Sequence, residues 1–276
     1  MENVVPSGYH SHYLRIDVSS GCADRVPLPE KVLRQFIGGS GLGAWLLLKE
    51  STSWSDPLDA DAPLIFVFSP LVGSPLTTSA KFAVVSQSPL TDRINDSLAS
   101  SGFALAGKRC GCDAIVIVGR AEKLSTLVID NGKVRLDTAE GLRGISCAIT
   151  EQTLRTQLGP SYQIASIGPA GEQLVRYATI SHAGRHAGRG GSGTVLSSKN
   201  LKAIAVRGTQ YLDWAHPREL TERSRQLSER SFGPATAKYR ELGTASNLLT
   251  FNRFGALPTR NFQTGTFDEA PKISPE

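Results

Sequence analysis

Residues 181–200, SHAGRHAGRGGSGTVLSSKN, hold the densest chemistry in this chain of 276 residues. Gly184, Gly188, Gly190, Gly191 and Gly193 are interleaved with Arg185, His186 and Arg189, and Lys199 and Lys202 follow closely. Glycines at this density permit positive φ and let backbone N–H groups approach a ligand. Successive N–H groups form an anion-binding concavity, and arginine forks grip phosphate oxygens bidentately. No Asp or Glu lies between Glu172 and Asp213, so nothing in the local sequence offsets the positive charge. The stretch reads as a loop that holds a phosphate-bearing ligand. Its bland counterpart is a flexible surface loop with solvated arginines.

The run from Gly188 through Gly190 to Gly193 satisfies G-x-G-x-x-G. A dinucleotide fingerprint also needs a preceding strand, a long following helix and an acid about 20 residues on. A strand is expected over 175–180, but TVLSSKNLKAIAV returns to a strand within a few residues, and Asp213 falls beyond it. A second run, Gly39 to Ala44 (GSGLGA), opens a helix but follows another helix. Both fail the context test.

Other reactive side chains read blandly. Cys22, Cys110, Cys112 and Cys147 include no C-x-x-C pair, so zinc or iron–sulfur ligation within the chain is unsupported and reduced thiols are expected. His10, His12, His182 and His216 are scattered and read as surface residues, whereas His186 sits inside the glycine loop as a phosphate contact. Asp96 and Asp113 read as structural, through loop hydrogen bonds or a strand start.

The elements that must position the loop are mostly strands. Strands are expected over 13–18, 64–68, 82–86, 112–119, 163–167 and 201–206, with 112–119 central in a sheet because it is apolar throughout. Asn131-Gly132 between 125–130 and 133–137 is the strongest hairpin signal. Helices are expected over 29–37, 42–50 and 146–158, with the glycines at 38–41 stopping the first. Residues 97–107, SLASSGFALAG, suit close packing or close approach to a ligand. Beyond Gly208 the character turns helical and polar, over 217–231 and 244–254, and then loop-like. The fold class is therefore α+β: a β-rich N-terminal domain of mixed sheets with a few helices over 1–210, then the incomplete start of a helical domain over 211–276. An apolar face formed by Leu242, Leu248, Leu249, Phe251 and Phe254 is expected to be partly exposed.

Composition sets the class. Hydrophobic residues make up 40% and charged residues 20%, enough to bury a real core. The net charge of +5 suits a phosphate-rich cofactor, an acidic partner or nucleic acid. The charge is dispersed and aromatics are 7%, so a nucleic-acid-binding module ranks low. The opening MENVVPSGYHSHYLRID has no apolar core of a leader, and no apolar run approaches the roughly 20 residues of a spanning helix. A cytoplasmic protein with neither nucleic acid nor membrane as partner is expected.

Several segments in series are similar to one family. FIGGSGLGAWLLLKE (36–50), DPLDADAPLIFVFSPLVGSPLTTSAKFAVVSQSPLT (56–91), GCDAIVIVGRAEKLSTLVIDNGKVRL (111–136), IASIGPAGEQLVRYATI (164–180), RHAGRGGSGTVLSSKNLKAIAVRGT (185–209) and GALPTRNFQTGTF (255–267) resemble the N-terminal part of the tungsten-containing aldehyde ferredoxin oxidoreductases. The resemblance implies a β-rich base carrying a tungsten bis-pterin whose phosphates are bridged by Mg2+. Later helical domains would supply the catalytic carboxylate and histidine and the cysteines of a 4Fe-4S cluster. The whole enzyme would oxidise aldehydes to carboxylic acids with ferredoxin as acceptor. By the same resemblance Lys81 stands where the family usually has an arginine between pterin and cluster. Leu98 and Ala187 fall at the two backbone carbonyls that reach the magnesium. Arg185, His186, Gly188, Arg189, Gly190 and Gly191 are then expected to grip the cofactor. Ser40 replaces a common arginine, and Ala99-Ser100-Ser101 replaces a usual SGG; these departures admit another substrate, or molybdenum in place of tungsten. A main-chain ligand survives a side-chain change, whereas lysine lacks the planar fork of arginine. The family runs several hundred residues further, so no catalytic residue is expected here, the chain is expected to be inactive alone, and a C-terminal domain or separate subunit is the expected partner. Self-association as a homodimer is left open. The alternative is a non-catalytic remnant or scaffold domain without cofactor.

Overall fold

The computed structural model describes residues 6–52 and 56–275. Residues 1–5, the head of the stretch read for a leader, lie outside them. The chain divides into two compact units, Met1–Pro217 and Arg218–Glu276.

The first unit holds two six-stranded sheets. The first sheet comprises β1 (His12–Asp17), β2 (Cys22–Pro27), β3 (Leu64–Phe68), β4 (Lys81–Gln87), β5 (Ile94–Ser100) and β6 (Ala114–Val118), in the order β2-β1-β6-β3-β4-β5. The second comprises β7 (Ser125–Asp130), β8 (Lys133–Thr138), β9 (Gln163–Ser166), β10 (Ile180–His182), β11 (Arg185–Ala187) and β12 (Leu201–Arg207), in the order β11-β10-β9-β12-β7-β8. Both are mixed: β1 runs parallel to β6 and β12 parallel to β7, and the remaining pairs are antiparallel. Strand β6 lies inside the first sheet with every residue buried, as an uninterrupted apolar run requires. Asn131 and Gly132 turn β7 into β8 with φ of 51° and 81°, the left-handed pair that a tight hairpin demands.

Helices α1 (Glu30–Phe36) and α2 (Gly39–Glu50) close one face of the first sheet, with Leu33, Leu42, Leu46 and Leu47 on Ile65, Val67, Ala83, Val85 and Val116. Each such large side chain removed from water stabilises by about 1.5–3 kcal/mol. The opposite face, through Leu14, Ile16, Phe66, Phe82 and Ile115, shares one core with Leu127, Ile129, Ile204 and Val206 of the second sheet. That core also takes in Phe103 of α3 (Gly102–Arg109). Helix α4 (Cys147–Leu158), capped by Ser146, covers the back of the second sheet through Leu154. Two short helices, α5 (Pro169–Glu172) and α6 (Ser192–Ser198), complete the unit.

Several expectations change. Residues 175–179 are turn and coil rather than strand; the strand begins at Ile180 and forms the tight hairpin β10–β11. Residues 192–198 are helical, so the glycine run is followed by a helix of seven residues and only then by β12. The glycines at 38–41 end α1 but also begin α2 at Gly39. Residues 97–107 are the end of β5 and most of α3.

The second unit contains α7 (Pro217–Ser231), α8 (Pro234–Leu242), α9 (Leu248–Arg253) and α10 (Ala270–Ile273). Asn252 ties it together by donating to the Phe267 carbonyl at 3.1 Å and accepting from its N–H at 2.7 Å. Among its described residues no leucine or phenylalanine is buried, and Phe254 is 76% exposed. Among all described residues, no helix is long and apolar enough to cross a membrane.

Two substitutions test the packing. A methyl group at Gly107 would lie 2.2 Å from the ring of buried Phe68. Gly107→Ala should therefore lower unfolding free energy in urea by about 1–3 kcal/mol. Asp113 is fully buried, pairs with Lys108 at 2.5 Å and accepts from the Ser11 N–H at 2.8 Å. Asp113→Ala strands a buried ammonium and should cost about 3–5 kcal/mol in the same measurement.

Candidate functional site

Strand β5 is the edge of the first sheet, and the β11 hairpin strand packs against it. The loop after β11 is fastened to β5 and to the turn before it. The Arg189 N–H donates to Ser97 Oγ at 3.0 Å. Asn95 Nδ2 donates to the Arg189 carbonyl at 3.1 Å, and Ser88 Oγ donates to the Gly190 carbonyl at 2.8 Å.

The glycines serve two ends. A Cβ at Gly190 would sit 2.1 Å from Asn95 Oδ1, and one at Gly191 would sit 2.0 Å from the Arg176 carbonyl oxygen. With φ of 66° and 81°, these two let the loop pack closely against Asn95 and Arg176. Gly188 is exposed and has only van der Waals neighbours at 3.8 Å. Among the described residues, the N–H groups of Gly188 and Gly190 have no acceptor.

Each residue named from sequence has a place. Arg185, His186 and Ala187 form β11; the first two are exposed and Ala187 is buried. Gly188, Arg189, Gly190 and Gly191 are the loop on β5. Leu98 lies on β5 and is 57% exposed. Lys81 starts β4, opposite Ser100 of β5, and its Nζ donates to Ser100 Oγ at 3.1 Å. Strand alternation separates the two sets: Lys81 and Leu98 face the side of α2, whereas Ser97, which holds Arg189, faces the inter-sheet core. The structure thus brings all these residues to the one edge strand, on two faces of it.

Charge around the edge also differs from the local sequence reading. Lys199 and Lys202 are fully buried: Lys199 donates to the Ala60 carbonyl at 3.0 Å, and Lys202 donates to the Ile145 carbonyl at 2.7 Å and pairs with Glu172. Burial, then the neighbouring Arg120, pulls the Lys199 ammonium down to about 8. Neither lysine presents charge at the loop. Carboxylates distant in sequence come close: Glu151 accepts from the Ala183 N–H at 2.9 Å, and Asp96 accepts from the Ser40 hydroxyl. Among the described residues, Arg185 and Arg189 still form no ion pair.

The anchors Ser88, Asn95 and Ser97, and the Ser40–Asp96 tie from α2 to β5, escaped sequence reasoning. The one signal was the run of small polar residues Asn95, Asp96 and Ser97 in INDSLAS, which sets consecutive hydrogen-bonding side chains on alternate faces of a strand. His182 is another departure: it is 2% exposed rather than on the surface, and its Nε2 has no partner. His10 and His12 are half-buried. Asp96 and Asp113 both make structural hydrogen bonds.

The donor set suits an oxygen-rich anion. It offers two unpaired guanidinium groups, two free N–H groups and, across β5, the first turn of α2, which has neither a side-chain cap nor an acidic residue. No group of three or more His, Cys, Asp or Glu among the described residues could hold a metal. A cation held here would depend on backbone carbonyls and ligand oxygens, the donors that magnesium prefers.

A family model described as aldehyde ferredoxin oxidoreductase, N-terminal domain, matches residues 13–208. The chain is 38% identical to a tungsten-containing aldehyde ferredoxin oxidoreductase of Pyrococcus abyssi, over 98% of this chain and 45% of that protein. It is 31% identical to an aliphatic sulfonate oxidoreductase, WOR-like subunit, of Pyrococcus furiosus, over 92% and 43%. A solved structure described as the active site complex BamBC of benzoyl coenzyme A reductase, in complex with 1,5 dienoyl-CoA, superposes with a TM-score of 0.78 and 31% identity, covering 82% of this chain and 35% of its own. This chain spans less than half the length of the curated relatives it matches. Since the family model takes in both sheets and the loop on β5, the chain belongs to the aldehyde ferredoxin oxidoreductase family, as a match to its N-terminal domain.

Proposed function

We propose that this chain is the cofactor-bearing N-terminal portion of a tungsten, or molybdenum, bis-pterin oxidoreductase that converts aldehydes to carboxylic acids in the cytoplasm and passes electrons to a ferredoxin. In this reading residues 1–210 form the cofactor base and 211–276 begin the next domain. The observation that carries it is the pair of exposed, unpaired guanidinium groups of Arg185 and Arg189 on a hairpin and loop fastened to β5.

Arg185, Arg189 and His186 take up the charge of the pterin phosphates. The N–H groups of Gly188 and Gly190 donate to phosphate oxygens, and Gly191 keeps the loop turned toward them. The carbonyls of Leu98 and Ala187 would contribute oxygens to a Mg2+ ion held beside the phosphates. Lys81, held beside Ser100, places a positive charge near the opposite end of β5. When bound, the metal–pterin group supplies two-electron redox chemistry. The carboxylate, the histidine and the 4Fe-4S ligands come from a C-terminal domain or partner subunit, so the chain alone is inactive.

Arg185→Ala combined with Arg189→Ala tests this reading. Each charge-assisted pair is worth about 1.5–3 kcal/mol, so magnesium pyrophosphate affinity by calorimetry should fall at least about tenfold. Thermal stability should move by no more than about 0.5 kcal/mol, because neither side chain is in the core. Unchanged affinity in a folded double variant would remove the phosphate role.

A further inference from the structure

His182 closes the β10–β11 hairpin, paired with Arg185 across a turn in which Ala183 and Gly184 have φ of 46° and 69°. Its ring is 2% exposed and lies against Phe82, at 5.4 Å between ring centres, and Phe103, at 5.8 Å. Phe82 directly follows Lys81, and Phe103 lies in the first turn of α3. The imidazole is therefore the plug that seats the hairpin on the inter-sheet core. It is an unusual plug, because its Nε2 is buried without a hydrogen-bond partner. A neutral ring tolerates that site; a charged one lacks the counter-ion that burial requires.

The surroundings are cationic. From α4 come Arg155 and Glu151, which pair with each other at 3.0 Å while Glu151 also accepts from the Ala183 N–H. From β11 come Arg185 and His186. On β4 the ammonium of Lys81 is turned to Ser100. The packed segments of β9 (QIAS) and α6 (SGTVLSS), and the turn of α3 around Phe103, carry no charge. Among the described residues of these elements the one carboxylate, Glu151, is already committed to Arg155 and the Ala183 N–H, so an imidazolium would face Arg185 and His186 without a counter-ion of its own.

We propose that His182 is the positioning residue of the hairpin that carries Arg185, His186 and Ala187, and that proton uptake by its imidazole releases this hairpin from strand β5. The device deepens the phosphate-binding reading above and depends on it only for its consequence, the loss of ligand on acidification. Burial, then the charges of Arg155, His186 and Arg185, lowers the imidazole from 6.5 to about 4 in the closed hairpin. An opened hairpin frees the ring, which then titrates near its ordinary value of about 6.5. Between those values the open state binds a proton that the closed state excludes, so opening grows as pH falls.

Amide hydrogen exchange of residues 181–187 in the full chain, corrected for intrinsic rates, reads this directly. Hairpin opening should rise about twentyfold from pH 7 to pH 5 by single-site proton linkage. In His182→Phe, which fills the site without titrating, the rise should vanish. His182→Gln, polar and non-titrating, should also be flat even if it opens more at every pH. Opening that does not change between pH 7 and 5 in the parent protein, or that rises equally in both variants, overturns the proposal. Magnesium pyrophosphate is then titrated at both pH values: affinity falling in parallel with opening supports the link to ligand. No pyrophosphate binding at pH 7 alongside a pH-dependent hairpin would count against the phosphate reading while supporting the His182 assignment.

Discussion

The hold of the 188–191 loop on edge strand β5 is the interaction on which the candidate site depends. An edge strand offers unpaired backbone groups to its surroundings; here β11 packs beside that edge, and the loop after it is tied to the side chains of Asn95 and Ser97. The fit is close: the Asn95 amide and the Arg176 carbonyl fill the space that a side chain at 190 and 191 would take. That closeness joins the two sheets at one rim. It fixes where Arg185 and Arg189 project, and it places Ala187 on a strand packed beside the one that carries Leu98. The seat beneath, His182 between Phe82 and Phe103, belongs to the same joint.

Much of the architecture was legible before the structure. The short apolar runs over 64–68 and 114–118 read as interior strands, and Asn131-Gly132 announced a hairpin whose left-handed backbone values this pair favours. What stayed hidden was decided by tertiary contacts. Strand β5 contains Asn95 and Asp96, which disfavour strands; it forms because β4 pairs along its full length and Asn95 is used by the loop. Strands β10 and β11 have three residues each, too few to show alternation. Helix α6 begins Ser-Gly-Thr, with poor helix propensity, and stands because six of its seven residues are buried.

The same limit applies to charge. Sequence proximity suggested that Lys199 and Lys202 would enrich the loop, yet both ammonium groups point inward to carbonyls. Carboxylates from residues 96 and 151 arrive instead through the fold. The sequence reading of the glycine loop as an anion grip gave no hint of which glycines pack against the protein and which remain open; that division was visible only in three dimensions. The serial resemblance to the aldehyde ferredoxin oxidoreductases, by contrast, spans both sheets and agrees with the matched family.

The relatives are more than twice as long as the aligned region, and the rim around β5 is here read as one wall of a site completed by the remaining length. The most direct test is to co-express this chain with a polypeptide supplying that remainder, purify the complex, and assay tungsten, molybdenum and pterin together. Metal and pterin co-eluting with the folded complex is the predicted result. A stable, folded complex containing neither metal nor pterin would contradict the cofactor-base account.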